Sequence, residues 1–229
     1  MCGRFNQEEP GLSRRMIKNP IREFPRYNIS AGMPAALLTQ KGWEMGVFGL
    51  RPKWDPKKLF INARAEGKGN EGNARQGWEV GIHSMPSFRN GFRSNRAILP
   101  VTGFIEGPEK ERLSKPFLFR RKDMDVFFLP CVFENFINTD GEECPSFAII
   151  TSPSNDYTSK IGHHRSPIMF NEDMNELWLN QNATVPDLFD LLTLGYVEPD
   201  LEVLPLDPVL IKSGREHHAD VINPIGAAI

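Results

Sequence analysis

Apolar positions along the chain come in short runs, punctuated by glycine and proline. Runs rich in aromatic and β-branched residues predict strands at 35–39, 43–50, 96–104, 116–120, 126–133 and 146–151. Helical spacing predicts helices at 10–18, 83–92, 172–180 and 186–194. The third is the best specified: Asn171 stands as its N-cap, acidic residues fill the first turn, and Met174, Leu177 and Trp178 follow at i, i+3 and i+4. Strands that do not alternate regularly with helices predict an α+β domain on an antiparallel or mixed sheet. Segment 65–80 is polar, carries four glycines and predicts a loop.

Composition narrows the class. At 229 residues and 40% hydrophobic, the chain supports a sizeable core. No apolar run approaches the roughly 20 residues of a membrane span, and the opening MCGRFNQEEP lacks an apolar targeting stretch, so a cytoplasmic protein is expected. Cys2, Cys131 and Cys144 form no CxxC pair and leave an odd count, which argues against a disulfide framework and a cysteine-rich zinc site. The net charge of −2 speaks against a nucleic-acid partner only until it is divided. Residues 171–207 hold nine acidic and no basic residues, whereas residues 1–170 hold 25 basic and 18 acidic. That body suits a phosphate backbone.

Four stretches carry candidate chemistry. Removal of Met1 would leave Cys2 with a thiol and an α-amine on one residue, and an α-amine of pKa about 8 is a better Schiff-base nucleophile near neutrality than a lysine. Gly3 admits close backbone approach, and Arg4 places positive charge beside the thiol. Between 51 and 64 lie five basic residues, one acidic residue and the aromatics Trp54 and Phe60, a composition that serves phosphates and exposed bases or else a solvated loop. Glu106 ends an apolar strand, where partial desolvation would raise its pKa into the acid/base range. In Gly162-His163-His164-Arg165, adjacent histidines point in different directions and lack a third ligand at a metal spacing, so proton transfer at a histidine beside an arginine is the better reading. His217 and His218 have no such context and read as a surface pair.

Met1-Cys2-Gly3-Arg4-Phe5, Arg26-Tyr27-Asn28-Ile29, Asn62-Ala63-Arg64-Ala65-Glu66, Gly103-Phe104-Ile105-Glu106 and His163-His164-Arg165-Ser166-Pro167, in this order over about residues 1–210, resemble the SOS response-associated peptidase family of abasic-site processing proteins. The resemblance implies one α+β domain over residues 1–229, with a mixed, largely antiparallel barrel-like sheet, peripheral helices and an acidic helical part from 170 to 229. It implies binding of single-stranded DNA containing an abasic site, without metal or other cofactor, and a location at the nucleoid when bound. It also implies roles. Cys2 would condense with the ring-opened sugar aldehyde and close a thiazolidine. Asn62 would orient the terminal residue and the sugar. Glu106 would act on the amine and on removal of Met1, and His163 would donate a proton to the sugar ring oxygen. Arg4, Arg64 and Arg165 would hold phosphates, and Trp54 would flank the strand.

The chain departs from the family's usual pattern in four places. Gly107 follows the acid where tryptophan is usual, Ser166 replaces a bulky residue, Ser30-Ala31 replaces an Ala-Pro pair that wedges DNA, and the loop at 65–95 does not keep the usual spacing. Two other functions use overlapping residues. A thiol autopeptidase or peptidase would need Cys2, Glu106 and His163, and a noncovalent single-strand binding module would need only the arginines and aromatics.

Overall fold

The computed structural model describes residues 3–8, 26–67, 81–138, 140–194, 197–212 and 214–229. Cys2 and the helix predicted at 10–18 lie outside the described residues, as does most of the loop at 65–80. The strands are β1 (Arg4–Gln7), β2 (Arg26–Ser30), β3 (Pro34–Thr39), β4 (Gly42–Phe48), β5 (Asn62–Arg64), β6 (Arg96–Val101), β7 (Gly103–Glu106), β8 (Phe117–Arg121), β9 (Phe127–Ile137), β10 (Glu143–Pro153), β11 (Arg165–Pro167) and β12 (Leu201–Pro205). The helices are α1 (Arg89–Ser94), α2 (Asp156–Lys160), α3 (Glu172–Leu179) and α4 (Val185–Leu194).

Strands β3, β4, β10, β9 and β6 close a ring, because β10 pairs with β4 on one edge and β9 on the other, while β3 joins β4 to β6 and β6 joins β9. A second sheet runs β12-β8-β7-β1-β2, entirely antiparallel. Period-two alternation divides the side chains between three cores. Leu37, Leu99, Leu129 and Ile149 face inward to meet Phe5, Phe104 and Phe119 of the second sheet. Ile98, Val132, Ala148 and Ile150 face outward beneath Trp178, Leu188 and Leu192 of α3 and α4. On the far side of the second sheet, Ile105, Leu118 and Leu204 are covered by Leu206, Ile211 and Val221 near the C-terminus.

The predicted strand at 96–104 is two strands. At Thr102 the chain leaves the barrel and enters the second sheet; the Thr102 N–H donates to the Asn6 carbonyl at 3.0 Å, and the Asn6 amide donates to the Thr102 hydroxyl at 2.8 Å. The buried Gln7 stitches the same seam: its amide donates to the carbonyls of Ala36 and Pro100, and its oxygen accepts the Ala36 N–H. It thereby serves backbone groups of β3 and β6 beyond their short ladder, whose pairs are Leu38–Ile98 and Thr39–Ala97.

The helix predicted at 83–92 is also divided. Pro86 biases Met85 to extended backbone (φ −71°, ψ 126°), so a 3-10 turn at Ile82–Ser84 precedes α1. The helix at 172–180 forms as α3, with the Asn171 side chain accepting the Met174 N–H at 3.0 Å. Its C-terminus and that of α1 share one donor. The fully buried Arg96 guanidinium donates to the carbonyls of Phe92, Arg93, Trp178 and Asn180 at 2.5–3.0 Å, satisfying acceptors that two helix ends leave open. No helix among the described residues is long and apolar enough to cross a membrane.

Arg96→Leu leaves the buried carbonyls of Phe92 and Trp178 without their donor and frees those of Arg93 and Asn180 nearer the surface. Chemical denaturation should show a loss of about 3 kcal/mol or more; a loss under about 1 kcal/mol would mean that other donors replace the guanidinium.

Candidate active site

Glu106 and His163 meet where the second sheet abuts the barrel. Glu106 is the last residue of β7, and His163 lies just before β11. Local sequence delivers the histidine: Asn155 and Thr158 form a reciprocal capping box on α2, which ends at Ile161, and Gly162 adopts φ +71°. The His163 N–H then returns to the Thr158 carbonyl at 3.0 Å, with its ring facing Glu106. His163 Nε2 lies 3.6 Å from Glu106 Oε2, and the Gly107 N–H donates to Glu106 Oε1 at 3.2 Å.

Both groups are nearly enclosed, Glu106 at 9% and His163 at 7% exposure. Burial raises the Glu106 pKa above the ordinary carboxylate value, against the opposing Gly107 N–H. Burial also lowers the His163 pKa to about 4, helped by the neighbouring His164 and Arg165 charges. Near neutrality the imidazole is therefore uncharged, and the contact is not an ion pair despite its short distance.

Asn62 and Arg64 lie on β5, which runs parallel to β10 with Asn62 opposite Ile149 and Arg64 opposite Thr151. Both side chains are half-buried, and the Asn62 amide donates to the Ile61 carbonyl at 2.9 Å. On the other edge of β10, Thr151 faces Pro167 and Pro153 faces Arg165. One strand thus holds the β5 and His163 segments on its two edges. Arg4 lies opposite Ile105, so β1 starts beside the residue preceding Glu106. Arg4 donates through Nη1 to the buried Asn28 at 2.8 Å, and Asn28 donates to the Lys212 carbonyl at 2.9 Å.

Trp54 is no core residue: it is 54% exposed, with the Lys58 ammonium 4.3 Å from its ring centre. Arg165 differs from the phosphate-facing residue expected from the sequence. Its guanidinium is buried, paired with both oxygens of Glu66 and bonded to Thr151. His164 turns outward to Glu109, with Nδ1 3.2 Å from the carboxylate, and His217 and His218 are exposed. Cys131 is buried, and Cys144 is partly buried with a thiol pKa raised by that burial. Among the described residues, no three His, Cys, Asp or Glu side chains form a metal-holding group.

Sequence reasoning placed Asn28 and Glu66 in the motifs without giving either a role, and it missed Thr151 and Glu109 altogether. The departure at Gly107 has a steric counterpart: a Cβ there would lie 1.7 Å from the Arg112 carbonyl oxygen, because the backbone of Arg112, at φ +52°, occupies that space.

A histidine whose folded pKa lies below its unfolded value near 6.5 makes the unfolded state bind more protons between the two values. Its contribution to stability is therefore complete above about 6.5 and is lost as pH falls toward 4. Glu106 pulls the other way, so His163→Gln isolates the histidine. Between pH 7 and pH 4 the wild type should lose on the order of 2–3 kcal/mol more stability than His163→Gln in denaturant titrations; parallel pH curves would contradict the depressed value.

Residues 1–212 match the family described as SOS response associated peptidase (SRAP). The chain is 26% identical over 240 residues to abasic site processing protein YoaM of Bacillus subtilis, covering 97% of this chain and 98% of the relative. It is 28% identical over 233 residues to abasic site processing protein YobE of the same organism, covering 93% and 100%. A crystal structure of a protein from Bacteroides thetaiotaomicron superposes with a TM-score of 0.69 at 22% identity, over 88% of this chain and 86% of that one, and supports the fold. A family match spanning nearly the whole chain, carried by a mixed barrel with few helices, makes this protein a member of the SOS response associated peptidase (SRAP) family.

Proposed function

We propose that this protein processes abasic sites in single-stranded DNA by attaching itself to the lesion. The observation that carries the reading is the buried Glu106–His163 contact at the junction of the two sheets, in a chain whose relatives bear the name abasic site processing protein. A carboxyl group with a raised pKa beside an uncharged imidazole suits proton transfer near neutral pH.

After loss of Met1, the α-amine of Cys2 attacks C1 of the ring-opened sugar aldehyde. Glu106 accepts a proton from the ammonium to free the nucleophile, then returns one to the carbinolamine hydroxyl, which leaves as water. The Cys2 sulfur adds to the imine carbon and the nitrogen gains a proton, closing a thiazolidine. Asn62 orients the terminal residue and the sugar. As the sugar ring opens, His163 delivers a proton to the ring oxygen while the C1 hydroxyl gives up its own proton to solvent to form the aldehyde; a nearby DNA phosphate favours the protonated imidazole by opposite charge. Arg4 and Arg64 hold flanking phosphates, and the exposed Trp54 stacks on a base.

Protein whose intact mass shows that it starts at Cys2 should form a heat-stable shifted band with a single-stranded oligonucleotide bearing one abasic site. Cys2→Ala should remove the band, and Glu106→Gln should slow its appearance about 100-fold. No band from verified protein overturns the proposal, and equal salt-sensitive binding of intact and abasic strands by wild type and Cys2→Ala would favour a noncovalent module.

A further inference from the structure

We propose that Asn28 is a positioning residue for Arg4: its buried amide ties the Arg4 guanidinium to the Lys212 backbone and aims it at a phosphate beside the lesion. The inference rests on the proposed function for the phosphate, and on the geometry of three linked groups for the rest. Asn28 is fully buried. Arg4 Nη1 donates to Asn28 Oδ1 at 2.8 Å, and Asn28 Nδ2 donates to the Lys212 carbonyl at 2.9 Å. A guanidinium has only donors and a backbone carbonyl only lone pairs, so the group between them has to accept on one side and donate on the other. A carboxylate here would turn lone pairs on the Lys212 carbonyl, and an apolar side chain would serve neither neighbour.

Strand alternation explains why Arg4 needs a holder. Arg4 lies opposite Ile105, and Ile105 packs in the core beneath the C-terminal segment. Residues directly opposite on antiparallel strands share a face, so Arg4 stands on that side of the second sheet. Phe104 belongs to the core on the other side, where alternation also sends Glu106. From the first residue of β1, the guanidinium therefore reaches a strand bound at Glu106 around the end of the sheet and not across its face. A free arginine side chain samples many rotamers, and one bonded at its tip samples few.

The far end of the tie is itself fixed. β2 closes one side of the five-stranded sheet, and the Tyr27 N–H, next to Asn28, donates to the Glu216 carbonyl at 2.6 Å. Ile211, next to Lys212, is buried with Val221 against Ile105 and Leu118. The C-terminal segment thus reaches Arg4 through one amide, and Arg4 follows Cys2 by two residues. The tie sets the strand that carries the nucleophile in register with the bound phosphate, a placement in which an error of about 1 Å costs on the order of 100-fold in rate. Asn28 acts through Arg4 and touches no reacting atom.

A double-mutant cycle tests the inference. Wild type, Asn28→Leu, Arg4→Gln and the double variant would be compared for the cross-linking rate at saturation with an abasic single strand. Affinity for an intact single strand and its salt slope would be measured on the same proteins. Asn28→Leu should lower the saturated rate about 10-fold or more and leave the salt slope unchanged, because the Arg4 charge stays. In the Arg4→Gln background the same substitution should change the rate by less than about twofold. An equal loss from Asn28→Leu in both backgrounds would show a structural role alone and overturn the inference, as would a wild-type rate in Asn28→Leu. If Asn28→Leu does not fold, Asn28→Ala takes its place in the cycle. If the wild type makes no cross-link, the proposed function falls, and the inference is read by NMR from the Arg4 Nε–H signal as an intact single strand is added. A shift in wild type that Asn28→Ala loses supports positioning; no shift in wild type, or the same shift in both proteins, overturns it.

Discussion

The arrangement depends on β10, whose backbone is hydrogen-bonded along both edges to four strands. On one edge β9 gives way to β11, and on the other β4 gives way to β5. The β4 and β9 pairings close the barrel, and the β5 and β11 pairings carry the candidate chemistry. An eleven-residue strand is thus half structural ring and half platform. Because a slip of one residue reverses every side chain, the buried alternation of Phe147, Ala148, Ile149 and Ile150 between two cores fixes its register. The same alternation fixes where Asn62, Arg64 and the His163 turn arrive.

The site brings two electrostatic solutions to burial close together. Glu106 and His163 lie in an environment that favours their uncharged forms, which leaves protons available to move. Two residues from His163, Arg165 and Glu66 are buried as a bidentate pair whose charges satisfy each other. The first arrangement suits a group that changes state during a reaction, and the second suits one that does not. Trp54 and Lys58 supply the exposed counterpart, an aromatic face and a cation in contact with solvent.

Much of the fold is legible in the sequence where an element declares itself locally. Long apolar runs such as Phe127–Val132 and Phe147–Thr151 read as strands because both faces are buried, and Asn171 marks α3 because capping chemistry is local. The elements that assemble the site do not declare themselves. Strands β5 and β11 are too short for a hydrophobic period, and they exist because β10 offers them free edges. The motif residues Asn62, Glu106 and His163 stand out by chemical type, but the partner of Arg165 is 99 positions away and no spacing rule reaches it. Similarly, the apolar run at 96–104 carries no mark of the change of sheet at Thr102, which is a tertiary choice made through Asn6.

That change of sheet puts Glu106 on a short tether. It lies four positions beyond Thr102, and an extended chain spans at most about 3.6 Å per residue, so Glu106 stays within about 14 Å of the barrel seam even where packing between the sheets loosens. The segment after His163 is tied to β10 of the barrel, so the short tether from Thr102 also limits how far the Glu106 carboxyl can move from the imidazole. Breathing of the inter-sheet core would open the site to a bulky strand of DNA while leaving reassembly of the carboxyl and imidazole to a local collision, with no refolding step between.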